Sequence, residues 1–121
     1  AIGANVTFWI KFDIETNYDY AQFQISTNGG NSWISQCGLY TNAGSEDQPE
    51  GQPLYDGTQN NWVQEQIDLS DYIGQTIRAR FIFRSDNNVE GDGFYFDDLT
   101  FNTLNEDVLS LEDIQQYQFG I

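Results

Sequence analysis

The chain has 121 residues and carries 19 acidic against four basic residues, which gives a formal charge of −15. This length suits one domain around a single core, and the negative charge repels phosphate backbones and anionic headgroups, so neither nucleic acid nor membrane is expected as a partner. Histidine is absent, which excludes Ser-His-Asp catalysis and most catalytic zinc sites. Cys37 is the single cysteine and is expected to be a buried thiol.

The N-terminal third alternates apolar and polar residues with a period of two, which is typical of half-buried strands. The apolar positions are Val6, Phe8, Ile10, Phe12 and Ile14 in the first segment, and Ala21, Phe23 and Ile25 in the second. The pattern predicts two consecutive strands, with the polar residues between these positions facing outward.

A turn follows the second strand at STNGGNSW, where Asn-Gly-Gly supplies the positive φ angles of a tight hairpin. The stretch resembles the Asp-box pattern of sialidases and other β proteins, with Ser26, Asn28, Gly30 and Trp33 in the matching positions. In that pattern the Asp or Asn caps turn amides and the aromatic residue packs beneath. We interpret the motif as structural, because capping a turn needs no catalytic explanation.

The rest of the chain continues in strands after a long loop over residues 41–61, which holds both prolines. The inward positions are predicted to be Val63, Ile67 and Leu69, then Ile77, Ala79, Phe81 and Phe83. Arg78, Arg80 and Arg84 share the opposite face, where pairing with carboxylates of neighbouring strands is expected. Without a long capped helix, the sequence predicts an all-β fold, an antiparallel two-sheet β-sandwich.

Two adjacent carboxylates, Asp97 and Asp98, lie in the last clear strand, GDGFYFDDLTF. The inward set is either Tyr95 with Leu99 and Phe101 or Phe94 with Phe96, and in both registers one carboxylate points toward apolar neighbours. A buried charge needs a partner. The alternatives are an arginine, backbone amides, or a calcium ion completed by loop acids such as Asp92 or Asp19.

Several aromatic residues fall at polar-face or loop positions, where exposed rings beside amide side chains can bind sugars by stacking and hydrogen bonding. They are Trp9, Tyr18, Tyr20, Tyr40, Tyr55 and Trp62. The candidate binding set is Trp9, Tyr20, Tyr55 and Trp62. Aromatic cover over a second sheet is the alternative explanation.

Three stretches together resemble the jelly-roll accessory modules of secreted bacterial peptidases: ANVTFWIKFDIETNYDYAQFQISTNGGNSW, GQPLYDGTQNNWVQEQIDLSDYIGQTIRARFIFRSD and GDGFYFDDLTF. They are most similar to modules of zinc carboxypeptidases from Bacteroidetes and, more distantly, to immune-inhibitor-A-type metallopeptidases and MAM domains. The resemblance implies a jelly-roll sandwich over residues 1–103 that is not itself an enzyme. Residues 104–121 would form a final strand or a linker toward a type IX secretion sorting domain.

The same resemblance implies the surroundings of the module. The longer protein would be a secreted or cell-surface zinc carboxypeptidase, with zinc only in a catalytic domain outside this sequence. The expected partners are that catalytic domain and a protein or polysaccharide substrate. Related jelly rolls often bind a structural calcium near the Asp-Asp strand, which would correspond to Asp97 or Asp98.

Overall fold

Strands make up most of the computed structural model, which describes residues 2–85 and 93–104 and the backbone of a short strand at 117–119. Their bounds are β1 Gly3–Ile14, β2 Tyr20–Ser26, β3 Ile34–Ser35, β4 Asn42–Ala43, β5 Pro53–Leu54, β6 Gly57–Asp68, β7 Ile77–Arg84, β8 Gly93–Leu104 and β9 Tyr117–Phe119. A 3-10 turn at Ser70–Tyr72 joins β6 to β7. Within these residues no helix has the length and apolarity to cross a membrane. The predicted all-β class is confirmed.

Two main sheets form the fold. The front sheet has the order β6-β1-β8, the back sheet has the order β3-β2-β7-β9, and β4 and β5 form a separate small hairpin. All pairings within them are antiparallel except that of β9, which runs parallel to β7. The antiparallel two-sheet β-sandwich predicted from the sequence is therefore confirmed. Strand β9 lies within residues 104–121, for which the sequence predicted either a final strand or a linker.

The core lies between the two sheets, and the inward positions of β1 form one side of it, as its alternation predicted. Phe8 of β1 packs against Phe23 of β2 and Phe81 of β7, with ring centroids 5.5 and 5.2 Å apart. Burying a side chain of this size stabilises the fold by about 1.5–3 kcal/mol. One predicted core residue is wrong: Phe83, near the end of β7, is 44% exposed.

A β-bulge interrupts the pairing of β8 with β1. Thr7 opposes Thr100 and Trp9 opposes Asp97, so β8 has one residue more than β1 between these two pairs. Asp98 lies in this bulge and has a φ of 54°, in the left-handed region that few non-glycine residues adopt. The extra residue reverses the inward and outward alternation of β8 at this point.

The bulge corrects the expectation that one of the two adjacent carboxylates points into the core. Phe94 faces the core before the bulge and Leu99 faces it afterwards, so each of the two alternative registers holds for half of the strand. Asp97 and Asp98 are both exposed as a result. The Oδ1 atom of Asp97 accepts a hydrogen bond of 2.8 Å from the backbone N–H of Asp98.

The outer face of β2 is buried as well, although its polar residues were predicted to face solvent. Gln22 and Gln24 are almost fully buried. Gln24 Nε2 donates to Gln22 Oε1 at 2.8 Å, and Gln22 Nε2 donates to the Pro53 carbonyl at 3.3 Å. The long loop that carries Pro53 therefore covers the back sheet, and amide hydrogen bonds satisfy the polar groups that it buries.

Candidate functional site

The turn between β2 and β3 is held by its own side chains. Ser26 Oγ accepts a hydrogen bond from the Gly30 N–H at 2.8 Å and donates one to Asn28 Oδ1 at 2.9 Å. Asn28 Oδ1 also accepts from the Ser32 N–H at 3.0 Å, and Gly30 has a φ of 96°. These contacts use the polar groups of the motif to close the turn.

Trp33, the aromatic residue of the same turn, packs against an arginine of the back sheet. The guanidinium carbon of Arg80 lies 4.1 Å from the centroid of the Trp33 ring. Arg80 Nε donates a hydrogen bond of 2.7 Å to Gln24 Oε1. Within residues 2–85 and 93–104, the contacts given for Arg80 are thus with a ring and an amide, and pairing of the arginines with carboxylates stays a prediction.

A buried carboxylate that the sequence analysis missed lies at the inner face of β6. Glu65 is fully buried. Its Oε1 atom accepts hydrogen bonds from the N–H groups of Leu39 and Gln66, at 2.7 and 2.8 Å. Its Oε2 atom accepts from the Tyr55 hydroxyl at 2.8 Å and from the Tyr40 N–H at 3.2 Å. Both oxygens are therefore occupied by donors, which is how a carboxylate can be buried without a cation.

The loop over Glu65 approaches so closely that only glycine fits at one position. A Cβ added to Gly38 would lie 2.5 Å from the Glu65 carboxylate. Cys37, the residue before it, is exposed, so the expected buried thiol is wrong. The backbone turns inward at Gly38 and Leu39 to reach the carboxylate, which leaves the cysteine on the outside.

Tyr55 is fully buried, so its place among the exposed sugar-binding rings was wrong. Burial and the neighbouring Glu65 carboxylate raise the pKa of the Tyr55 hydroxyl far above its usual value. The hydroxyl therefore stays protonated and acts as a donor to Glu65. Its ring packs 5.8 Å from Phe12 and 5.2 Å from Phe94, within the core.

Asp56, one residue after Tyr55, organises a second group of loops. Its Oδ2 atom accepts hydrogen bonds from the Asn17 N–H and from Gln48 Nε2, and its Oδ1 atom accepts from Asn42 Nδ2, each at 3.0 Å. Asn17 has a φ of 72°. The side chain joins the turn after β1 to the long loop, so this acid also has a structural role.

The burial of Glu65 can be predicted from its spacing in the sequence. Glu65 lies two residues from both Val63 and Ile67, which were assigned to the inward face of β6. A period of two places all three on the same side of the strand. An acidic residue at an inward position predicts a buried carboxylate with hydrogen-bond donors around it.

Three of the four candidate calcium ligands, Asp19, Asp97 and Asp98, lie within the described residues and do not form a metal-binding group there. Asp97 and Asp98 are exposed at the bulge of the front sheet. Asp19 is buried before β2 and is within 3.5 Å of the Ser85 hydroxyl. Asp92 lies outside the described residues. Among residues 2–85 and 93–104 no group of three or more acidic or thiol side chains could hold a metal ion. Calcium binding stays a prediction.

The candidate sugar-binding rings divide between the two sheets. Trp9 on β1 and Trp62 on β6 are 39% and 44% exposed on the front sheet. Tyr20 is on β2 in the back sheet and is only partly exposed. The structure adds Tyr95 of β8, which is 46% exposed. One of the two alternative registers of β8 would turn Tyr95 inward, and the bulge decides against that register for this half of β8.

Lys11 lies between two of these exposed rings. Its Nζ atom is 5.1 Å from the ring centroid of Trp62 and 5.4 Å from that of Tyr95. Trp9 precedes Lys11 by two residues on β1 and pairs with Gln64 of β6. We call the outward-facing group of Trp9, Lys11, Trp62 and Tyr95 the ring face.

These features define a β-sandwich module in which the buried carboxylates Glu65 and Asp56 hold loops in place. The chain belongs to the immune inhibitor A-like MAM domain family, whose model matches residues 1–115. The MAM-like part of the resemblance noted in the sequence is confirmed. The family match specifies neither a carboxypeptidase nor a source in Bacteroidetes.

Two similar proteins are bacterial proteases. The chain is 30% identical over 87 residues to bacillopeptidase F of Bacillus subtilis strain 168, which covers 72% of the chain and 5% of that protein. It is 33% identical over 99 residues to the pre-pro-metalloprotease PrtV of Vibrio cholerae serotype O1 strain M66-2, which covers 79% of the chain and 10% of that protein. The chain thus spans a small part of either protease. No solved structure matches it significantly.

Proposed function

We propose that the chain is a non-catalytic accessory domain of a secreted bacterial protease. The observation that carries the proposal is the family match over residues 1–115, together with similarity to a small part of two much longer proteases. The chain supplies a domain beside the catalytic domain, and its partners are that catalytic domain and the substrate. Secretion is supported by the name of one relative, a pre-pro-metalloprotease.

The buried acids support a structural role. A general acid or base must be free to exchange a proton with a substrate. Glu65 accepts four hydrogen bonds, from three backbone N–H groups and the Tyr55 hydroxyl, and Asp56 accepts three. These carboxylates hold the long loop against the sandwich instead.

The proposal includes a finer assignment of the longer protein as a zinc metallocarboxypeptidase that carries a type IX sorting domain after this module. The carboxypeptidase assignment is supported by the resemblance of the ordered Tyr-Asp-Tyr-Ala, Ser-Thr-Asn-Gly-Gly and Gly-Asp-Gly-Phe-Tyr segments to modules of such enzymes. The sorting domain is supported by the resemblance of LSLEDIQQYQFGI to the run that precedes such a domain. Zinc would be bound only by the catalytic domain. The purified longer protein should release C-terminal residues from peptides, and chelation should abolish that release until zinc is restored. Cleavage that survives chelation would contradict the assignment.

Deleting this domain from the longer protein tests the accessory role. Hydrolysis of a small peptide should continue, because the catalytic residues lie elsewhere, while thermal half-life or cleavage of a large protein substrate should decrease. A matched variant that keeps the domain but carries Glu46→Gln, at an exposed loop position, should behave like the parent. Peptide hydrolysis by the isolated chain would overturn the proposal.

A further inference from the structure

We propose that the ring face of the front sheet is a binding site for a neutral polysaccharide. The proposal concerns Trp9, Lys11, Trp62 and Tyr95 and does not depend on the catalytic type of the longer protein. Binding would give the accessory domain a ligand of its own.

The strand pairings bring the rings of the front sheet together. Trp9 opposes Gln64 on one side and Asp97 on the other. Tyr95 lies two residues from Asp97 along β8, so it is a diagonal neighbour of Trp9, with Cα atoms roughly 7–8 Å apart. Trp62 lies two residues from Gln64 along β6, where the pairing with β1 shifts register between Ile10 and Phe12 and so brings Trp62 opposite Lys11. The three rings therefore surround one point of the sheet surface, which lies at Lys11.

Lys11 orders this surface. Its ammonium lies 5.1 Å from the Trp62 ring and 5.4 Å from the Tyr95 ring, which is the range of a cation–π contact. Since both rings hold the same cation, their positions are coupled before a ligand arrives. A preformed arrangement loses less conformational freedom on binding.

Amide side chains border the rings. Gln59 and Asn60 line a depression together with Lys11 and Tyr95, and Gln64 lies opposite Trp9. Flat rings stack against the C–H faces of pyranose units, while amides both donate to and accept from sugar hydroxyls. Rings separated by polar groups fit a sugar chain better than they fit the continuous apolar centre of a protein interface.

The charge of the molecule favours an uncharged ligand. The formal charge of −15 repels a second copy of the chain and any anionic polysaccharide. At the ring face, the positive charge of Lys11 lies near two carboxylates, those of Asp13, which lines the same depression, and of Asp97, which opposes Trp9, so an anionic ligand is disfavoured there as well. A neutral polysaccharide meets neither penalty.

Affinity electrophoresis tests the site. The chain is run through native gels that contain β-glucan, xylan or galactomannan, with polygalacturonate as the anionic comparison. We expect retardation by at least one neutral polymer and none by polygalacturonate. Trp9→Ala and Trp62→Ala should each weaken binding about tenfold, which corresponds to about 1.4 kcal/mol, because each removes a ring that stacks on the sugar. Trp62→Phe should keep part of the affinity.

Controls use exposed aromatic residues away from the ring face. Tyr18 in the turn after β1 and Phe83 on the back sheet are 50% and 44% exposed, and Tyr18→Ala and Phe83→Ala should bind like the parent. Equal melting temperatures of all variants show that the fold is retained. The proposal is overturned by absence of retardation in all three neutral polymers, or by equal losses in the ring-face and control variants.

Discussion

The Tyr55 hydroxyl donates a hydrogen bond of 2.8 Å to Glu65 across the buried side of the front sheet. Glu65 lies on β6, and Tyr55 lies just after β5 at the end of the long loop. The same carboxylate also accepts from the backbone of Leu39 and Tyr40. One buried acid thus connects β6 with the segment between β3 and β4 and with the segment between β5 and β6, which makes this pair the clearest target for mutation.

Replacing Glu65 with glutamine should destabilise the fold by about 2–4 kcal/mol. In the parent, both carboxylate oxygens accept hydrogen bonds, whereas the glutamine amide places an NH₂ group opposite N–H or O–H donors and leaves them without an acceptor. Urea unfolding measures the change. Glu46→Gln, at an exposed position of the loop, should stay within about 0.5 kcal/mol of the parent. Equal stabilities of the two variants would contradict the role of Glu65.

Stability should decrease in alkali because of Tyr55. Its pKa is raised in the folded state by burial and by Glu65, so the stabilisation is complete below the pKa of the unfolded chain, near 10. Above that pH the Tyr55 hydroxyl loses its proton in the unfolded state but keeps it in the folded state, so the free energy of unfolding falls by about 1.4 kcal/mol per pH unit. Urea midpoints between pH 8 and 11 should fall less in Tyr55→Phe than in Tyr18→Phe, which retains Tyr55. Parallel curves for the two variants would refute this explanation.

The bulge in β8 should tolerate glycine and reject a branched residue. Asp98 has a φ of 54°, so Asp98→Val should cost about 1–2 kcal/mol in unfolding free energy, while Asp98→Gly should be neutral or stabilising. Thr100→Val, at an exposed position two residues along the same strand, is the matched control and should change little. If valine were accepted equally well at both positions, the backbone assignment of the bulge would be wrong.

The prediction of calcium binding rests on the acidic surplus and on the adjacent exposed carboxylates Asp97 and Asp98, since neither points into the core. We expect a higher melting temperature in millimolar calcium than in EDTA, because a ligand that binds the folded state stabilises it. The double variant Asp97→Asn with Asp98→Asn should lose the shift, and Asp47→Asn in the exposed loop should keep it. Superimposable melting curves of the parent would end the calcium prediction.

The bulge in β8 could not be predicted from the sequence, and it determines which side chains of the strand face outward. Phe94 and Leu99 both face the core, although their spacing is odd, and a strict period of two allows only one of them inward. The inward or outward position of Tyr95, Asp97 and Asp98 depended on that one inserted residue. The pairing of β8 with β1 determines where the bulge lies. The alternation of residues along one strand carries no information about how two strands pair.

The sequence by itself determined the all-β class, the inward face of β1 from Val6 to Ile14 and the turn at Ser26 and Asn28, because alternation and turn chemistry are properties of neighbouring residues. Only the tertiary structure decided which polar residues are buried. Glu65 and Tyr55 meet, and Lys11 lies between Trp62 and Tyr95, through contacts between segments far apart in the chain. These contacts form only when the sheets and the long loop have packed.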